Sequence, residues 1–544
     1  MNVAFDRWIP IVTNSGKPEK ASLAVVFTQG DTFADLAVRP HERVALMRLF
    51  ICVAHAALDG PRTYPEWRDV PKQLAEKVYE YLAKWDREET FELFHPNKPW
   101  LQVAALKGVA KGNGNEGQTS PVALLDFELA TGNRATLFDH SGSIRVRMID
   151  PGRIALNLLT FQNFSSGGGS PIAQWDKTKT KQVGNPDAPC LSQSMAHCLL
   201  RGKNLKETIH LNLPTYERIR MLYRGYSYNK KEKKDLFAEV DLGRPVWECF
   251  PSTPEDSEAI VNATRTYMGR LVPVSRWVRL IENTDQMYCC NGFKYDTYRD
   301  GFPAEPTAAV RLIKRRDKKG IETEERKVVG INPDKAIWRE LSALMAKRSA
   351  EGIGGPLAME NAPNDIAYDF HVCAMTRDQA SMDIAIDSVF HIRPALQNNL
   401  GAYSDEVARS ERIYYRLRRA VETYRSTIDN DWVPRVKRSQ PRDQSKLKDR
   451  LAQTASLFYW TTVEKNLPLL MDHIESIGTD NAIPTRAAWR KMIFSAACDA
   501  YRAACGQDSP RQRHAFAKGW QVLTSKREEP EQEMNENNDD EEDV

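Results

Sequence analysis

From Val44 to Leu58 the chain is apolar at nearly every position, broken by Arg48 and His55. A segment apolar on all sides is a buried one, so this stretch predicts a core helix. Leu74, Val78, Tyr81, Leu82 and Trp85 recur at helical spacing and predict an amphipathic helix. Elsewhere in the first part the period shortens to two. Ile209, Leu211 and Leu213 alternate with polar neighbours and predict a half-buried strand. Val3 to Val12 reads as a strand broken by Pro10, and Ala308 to Ile313 as another. Polar loops separate these elements at Lys107 to Ser120, Asp176 to Pro189 and the basic Tyr228 to Lys234. Glu351 to Pro356 is a glycine-proline joint, and no internal repeat is found.

Beyond about residue 400 only helical periods remain. Ile413, Leu417, Val421 and Tyr424 make one stripe; Leu447, Leu451, Ala455 and Phe458 make a second. Trp489, Ile493, Ala497 and Ala504 make a third, after the candidate cap Thr485, and Phe516, Trp520 and Leu523 a short fourth. Four amphipathic helices joined by polar loops are the pattern of a bundle. The expected class is α+β: a large mixed α/β domain over 1–398, a C-terminal four-helix bundle over 399–525 and an acidic tail over 526–544.

Charge sharpens this picture. The 544 residues carry a net +3, but the stretch from Glu528 holds ten acidic residues and no basic one. The preceding 527 residues therefore set 76 basic side chains against 63 acidic ones, a net +13. A basic body fits a nucleic-acid partner, because neutralising phosphates releases counterions. The tail reads as solvated disordered sequence. The first predicted bundle helix carries Arg409, Arg412, Arg416, Arg418, Arg419 and Arg425, and Arg435, Lys437, Arg438 and Arg442 follow. Such a row fits either a solvated face or a phosphate-binding surface. The opening residues lack a basic n-region followed by an apolar run, and no apolar stretch approaches the ~18 residues of a membrane span. Nine scattered cysteines without a CxxC argue against a disulfide framework or a zinc knuckle, and a reducing cytoplasm is the expected location. The adjacent Cys289 and Cys290 suit the two faces of a strand.

Candidate catalysis is thin. The ten histidines show no HExxH and no His-x-His. Asp139-His140 would point to opposite faces of a strand and reads as structural. Ser165, Ser166 and Ser170 lack a nucleophile-elbow context. The chain reads as a non-enzyme without metal or cofactor. Gly167, Gly168 and Gly169 close an apolar run and let backbone approach a partner closely, since glycine has no Cβ and accepts positive φ. Neither a P-loop nor a GxGxxG frames them.

Six segments in order resemble one family. Phe5-Asp-Arg-Trp-Ile-Pro-Ile11 opens the series, followed by Phe91-Glu-Leu-Phe-His-Pro-Asn-Lys-Pro-Trp100 and Ala130 to His140. The triple glycine, Leu199 to Leu213 and Met375-Thr-Arg-Asp-Gln-Ala-Ser381 complete it. Over everything but the acidic tail, the chain is similar to the CasA family, the large subunit of the type I-E CRISPR surveillance complex, Cascade.

That resemblance implies a division of labour in which guide RNA reads the target and protein reads a short flanking motif, the PAM. It implies three minor-groove elements. They are the glycine loop Gly167 to Gly169; a cationic hairpin with Lys314, Arg315 or Lys318; and a wedge at Asp378, Gln379 and Ala380. Wedging a base step costs a few kcal/mol of unstacking that groove contacts must offset. It also implies a guide-RNA anchoring loop with Asn133, Arg134 and Phe138, and backbone contacts from Arg412, Arg416 and Arg419. The implied partners are crRNA, double-stranded target DNA, the other Cascade subunits and the CRISPR helicase-nuclease, with no membrane. Two departures stand out. The paired CxxC of some members is missing, so no metal is expected. Asp378 replaces an asparagine; a carboxylate only accepts hydrogen bonds, and in the minor groove only guanine's amino group donates. Asp378 is thus expected either to favour a G·C pair at its step or to cap a turn. A generic RNA-binding scaffold and a nuclease whose site converges only in the fold are the alternatives.

Overall fold

The computed structural model describes the chain outside residues 110–118, 130–148, 169–170, 181–183, 185, 225–227, 230–233, 236–241, 296–304, 317–321, 350–351, 379–380, 431–441 and 526–544. The chain divides into two compact units, Met1–Ile392 and Arg393–Val544.

The first unit is built around three helices. Pro40–Leu58 starts with proline at its first turn, and Glu42 accepts from the Arg39 N–H at 3.0 Å. Every residue from His41 to His55 is buried, as the unbroken apolar run predicts. In Tyr64–Asp86 the stripe Leu74, Val78 and Leu82 is buried, while Tyr81 and Trp85 pack at its margin. Pro151–Phe164 is capped by Asp150, which accepts from the Arg153 N–H, and is buried over nearly its whole length.

Small antiparallel sheets surround these helices. Ile9–Thr13 lies between Pro18–Ala21 and Phe33–Leu36. The predicted strand from Val3 therefore starts six residues late and runs through Pro10, whose carbonyl accepts from the Ala37 N–H at 3.0 Å. A ladder position served by the carbonyl tolerates proline. Cys289 and Cys290 sit in Gln286–Asn291 with both faces of the strand covered. All nine cysteines are free, and Cys249 alone is not fully buried.

The strand expected at Ile209 to Leu213 is instead the helix Leu205–Leu211. Asn204 accepts from the Glu207 N–H at 2.8 Å, the side-chain cap that starts a helix. The buried positions are Leu205, Ile209 and Leu213, four apart, and Leu211 is only half-buried. The apparent alternation was a helical face sampled every second residue.

In the second unit the long helices are Leu400–Asn430, Arg442–Lys465, Ala482–Ala504 and Pro510–Thr524, with the shorter Pro394–Asn398 and Leu467–Ser476 beside them. The first and third stripes are buried as expected. The second is shifted: Phe458 is exposed, and Ala455, Tyr459 and Val463 take the core positions. Tyr459 wins because its hydroxyl reaches the Ser410 carbonyl at 2.7 Å while its ring is buried. Ala482–Ala504 begins after Asn481, so Thr485 lies inside the first turn, its hydroxyl donating to the Asn481 carbonyl at 2.7 Å. In Pro510–Thr524 the core face is Ala515, Gly519 and Leu523, and Phe516 stacks on Trp520 at 5.7 Å. Among the described residues no helix is long and apolar enough to cross a membrane.

Candidate nucleic-acid interface

The glycine run lies where the buried Pro151–Phe164 helix ends. Ser165 closes that helix, its N–H returning to the Phe161 carbonyl at 2.9 Å. The exit is held from two sides. The Ser165 hydroxyl meets that of Ser275 at 3.0 Å, and the Arg276 guanidinium donates to the Ser166 carbonyl. Burial pushes Arg276 below its ordinary range, and its Nη1 donates to the Ser275 carbonyl at 2.7 Å. On the other side the Ala188 N–H donates to the Ser165 carbonyl at 2.9 Å, and the Gly167 N–H to Asp187 Oδ1 at 2.7 Å. One residue later the chain is exposed. Gly168 has φ of +138°, which side-chain-bearing residues rarely adopt, and a Cβ there would have no atom within 4 Å. Gly184 faces it closely: a Cβ on Gly184 would lie 3.4 Å from the Gly168 carbonyl carbon. Gly169 lies outside the described residues.

The cationic segment forms the expected hairpin. Val310–Arg316 pairs antiparallel with Glu322–Val328, with Lys314 opposite Glu324 and Arg315 opposite Thr323. Lys314 is exposed and its ammonium lies 3.2 Å from Glu324 Oε1. An exposed pair contributes at most about 1 kcal/mol, so this lysine is easily released to a phosphate. Lys318 lies outside the described residues.

The segment expected to act as a wedge is bracketed by the longest strands among the described residues of the first unit. Tyr368–Asp378 and Ser381–Ile392 are antiparallel, and Asp378 is the register partner of Ser381. Asp378 is thus the last strand residue; Gln379 and Ala380 lie outside the described residues. A register shift interrupts the pair between Met375 and Arg377.

One stretch of chain joins the roots of all three elements. Asp187 and Ala188 hold the glycine exit, and the Cys190 N–H donates to the Asn163 carbonyl at 3.1 Å. Further on, His197–Arg201 pairs with Tyr368–Asp378 on one edge. On its other side the Ala196 N–H donates to the Val329 carbonyl at 3.0 Å and the Cys198 N–H to that of Thr307 at 2.8 Å. His197 ties the stretch together, contacting the Cys190 carbonyl at 2.9 Å and the Thr307 hydroxyl at 2.8 Å. Burial lowers its pKa to about 4, so the ring is neutral and serves as one donor and one acceptor. Nothing in the sequence spacing marks Asp187 or His197 for this work. Asp187 acts on a residue 20 positions earlier, and His197 reaches Thr307, 110 positions later.

Beneath this frame a carboxylate is enclosed by two guanidiniums. Arg48 Nη1 lies 2.6 Å from Glu305 Oε2, and Arg270 Nη2 lies 3.0 Å from Glu305 Oε1, all three residues buried. Arg48 Nε also donates to Asn163 Oδ1 at 2.9 Å. The Pro40–Leu58 helix is thereby fastened to the helix that carries the glycines.

In the second unit, Arg416 spends Nη2 on the carbonyls of Leu523 and Ser525 at the end of Pro510–Thr524, a helix-capping role that the row of arginines did not foretell. Glu406, buried, takes Arg486 Nε at 2.8 Å and Arg490 Nη2 at 2.6 Å. Arg409, Arg412, Arg418 and Arg419 have no carboxylate partner among the described residues. Partial burial, then the neighbouring guanidiniums of Arg490 and Arg412, push Arg409 below its ordinary range. Such crowding of like charge favours a bound anion. Asn133, Arg134, Phe138 and the Asp139-His140 pair lie outside the described residues. One group of potential metal ligands appears among the described residues: His371, Cys373 and Asp387, whose ligand atoms all lie within 4.8 Å of one another. The absence of a CxxC could not have revealed it.

Comparison with known proteins agrees with this architecture. The family described as CRISPR-associated protein Cse1 matches residues 2–500. A curated relative, the CRISPR-associated protein CasA/Cse1 of Thermus thermophilus, is 28% identical over 381 residues, 67% of this chain and 63% of the relative. The aligned part thus falls short of two thirds of that relative's length. The crystal structure of CasA from Thermus thermophilus matches with a TM-score of 0.68 at 21% identity, covering 96% of this chain and 98% of that one. Thermobifida fusca Cse1 matches at 0.66 and 19%, covering 96% and 98%. A chain of a CRISPR RNA-guided surveillance complex matches at 0.64 and 16%, covering 96% and 99%. At these identities the likeness is one of fold.

Proposed function

The chain belongs to the CRISPR-associated Cse1 family, and from that premise we propose that it is the large subunit of a type I-E RNA-guided surveillance complex. In this reading it inspects the PAM of duplex DNA from the minor groove, begins strand separation, and offers a docking surface to the helicase-nuclease. It performs no bond-making or bond-breaking step and uses no cofactor. Its partners are crRNA, target duplex and the other subunits. The segment with Asn133, Arg134 and Phe138 anchors it to the guide.

The observation that carries this reading is the common root of the three elements on the Asp187–Arg201 stretch. A reader of a narrow groove has to hold several probes in fixed register, and probes rooted on rigid, buried structure do so at low entropic cost. Gly168, bare and exposed, supplies backbone at the groove. Lys314 and Arg315 supply cations from the hairpin, and Gln379 supplies the wedge. Asp378, at the end of its strand, biases the wedge step toward a guanine amino donor.

The test is a complex reconstituted with and without this chain, presented with duplexes carrying a randomised flanking motif. PAM-selective binding and strand opening are expected to require the chain and to fail with Gly168→Asp and with Gln379→Ala. Selectivity that persists without the chain, or a preference for single-stranded RNA, would overturn the reading. Unchanged PAM preference in Asp378→Asn would remove the role given to that carboxylate alone.

A further inference from the structure

We propose that His371, Cys373 and Asp387 bind one divalent transition-metal ion of the zinc class at the root of the hairpin Tyr368–Asp378/Ser381–Ile392. The site follows from register. Cys373 and Asp387 are direct cross-strand partners, and His371 lies two residues before Cys373. Side chains alternate faces along a strand, so all three project from one face of the hairpin. Their ligand atoms lie within 4.8 Å of one another, and His371 Nε2 already meets Asp387 Oδ1. Tetrahedral zinc bonds of about 2.0–2.3 Å place ligand atoms about 3.2–3.8 Å apart. Small side-chain adjustments close that gap.

Charge also fits. A thiolate and a carboxylate neutralise a divalent ion, and imidazole adds the nitrogen that zinc prefers over magnesium or calcium. The neighbouring cation, Arg43, is already engaged, donating to Asp35 Oδ1 and to the Leu36 carbonyl, and Asp35 also takes Arg201 Nη2 at 2.9 Å. His371 and Cys373 are buried, whereas the Asp387 side chain is 49% exposed. An ion and one water can therefore enter from the Asp387 side, the water taking the fourth position. On binding, the Cys373 thiol gives its proton to solvent. The imidazole stays neutral, its N–H moving from Nε2 to Nδ1 as Nε2 turns to the metal.

The ion would fix strand pairing on the root side of the register shift between Met375 and Arg377. This consequence rests on the proposed PAM reading only in so far as Gln379 is the wedge; the metal site stands without it.

The full chain, stripped with chelator, would be titrated with Zn²⁺ by calorimetry and with Co²⁺ by absorption. One ion per chain is expected, with a sulfur-to-cobalt charge-transfer band. Asp387→Asn, at a half-exposed position that should not disturb folding, and Cys373→Ser should each weaken binding by more than about 100-fold, beyond the 10–100-fold cost of losing an outer-shell partner. Cys198→Ser is the control. Cys198 pairs with Val372, on the opposite face, and its loss should leave the affinity unchanged. No stoichiometric binding, a cobalt spectrum without a sulfur band, or full affinity in both ligand variants would each overturn the proposal.

Discussion

Single residues hold the first unit together at points the sequence does not mark. Glu305 is the clearest. Burial alone would raise its pKa, but Arg48 and Arg270 outweigh that and lower it from 4.5 to about 2. The folded state thus binds this proton less readily than the unfolded chain. Its contribution to stability is full above pH 4.5 and disappears as pH falls toward 2. Replacing Glu305 by Gln would leave two buried guanidiniums facing a neutral amide. Breaking a buried pair from one side costs about 3–5 kcal/mol. Urea unfolding at pH 7 should show that loss, and the variant's stability should change less than that of the unaltered protein between pH 4.5 and 2. None of this was legible beforehand: Arg48 read as an interruption of an apolar helix, and its partner lies 257 residues away.

At the scale of elements, long periodic helices were legible and short ones were not. Tyr64–Asp86 has room for a stripe to repeat, so its buried positions could be named in advance. Leu205–Leu211 spans only two turns, and three apolar residues two apart imitated a strand. Asn204 followed by Glu207 was the signal that distinguishes them. The hairpins of Lys314 and Asp378 could be anticipated, though only through the family resemblance and not from turn or strand preferences. The Asp187–Arg201 stretch that joins their roots could not, because its hydrogen bonds are long-range. The helical unit shows the reverse limit, where packing overrides pattern. Pro510–Thr524 lies so close to Ala482–Ala504 and Leu400–Asn430 that a Cβ on Gly519 would lie 2.1 Å from the Tyr501 hydroxyl and 2.5 Å from the Ala420 carbonyl. Gly519→Ala is expected to destabilise the unit by about 1–3 kcal/mol through overpacking, despite alanine's better helix propensity. A thermal melt followed at helical ellipticity would register a lower midpoint. An unchanged or higher one would mean that the helices can separate at little cost.

For the whole molecule, the α+β class was legible as a change from mixed to purely helical periods near residue 400. The electrostatic surface is finer-grained than the count of arginines implied. Arg416 caps a helix and Arg425 pairs with Glu422, so among the described arginines of that row Arg409, Arg412, Arg418 and Arg419 are without a carboxylate partner. Changing Arg409, Arg412 and Arg419 together to Gln should lower the slope of log affinity against log salt for duplex binding by about 2–3, near 0.9 per lost phosphate contact. The same change at Arg416 should act mainly on stability. Finally, the burial of eight of the nine cysteines makes the native chain nearly silent to thiol chemistry. Burial pushes the Cys52, Cys198 and Cys373 thiols well above their ordinary range, which suppresses the reactive thiolate further. A cysteine introduced at the exposed Ala385 would compete for a maleimide dye with little besides Cys249. The hairpin could then carry a fluorophore into a reconstituted complex without first stripping the protein of its own sulfur.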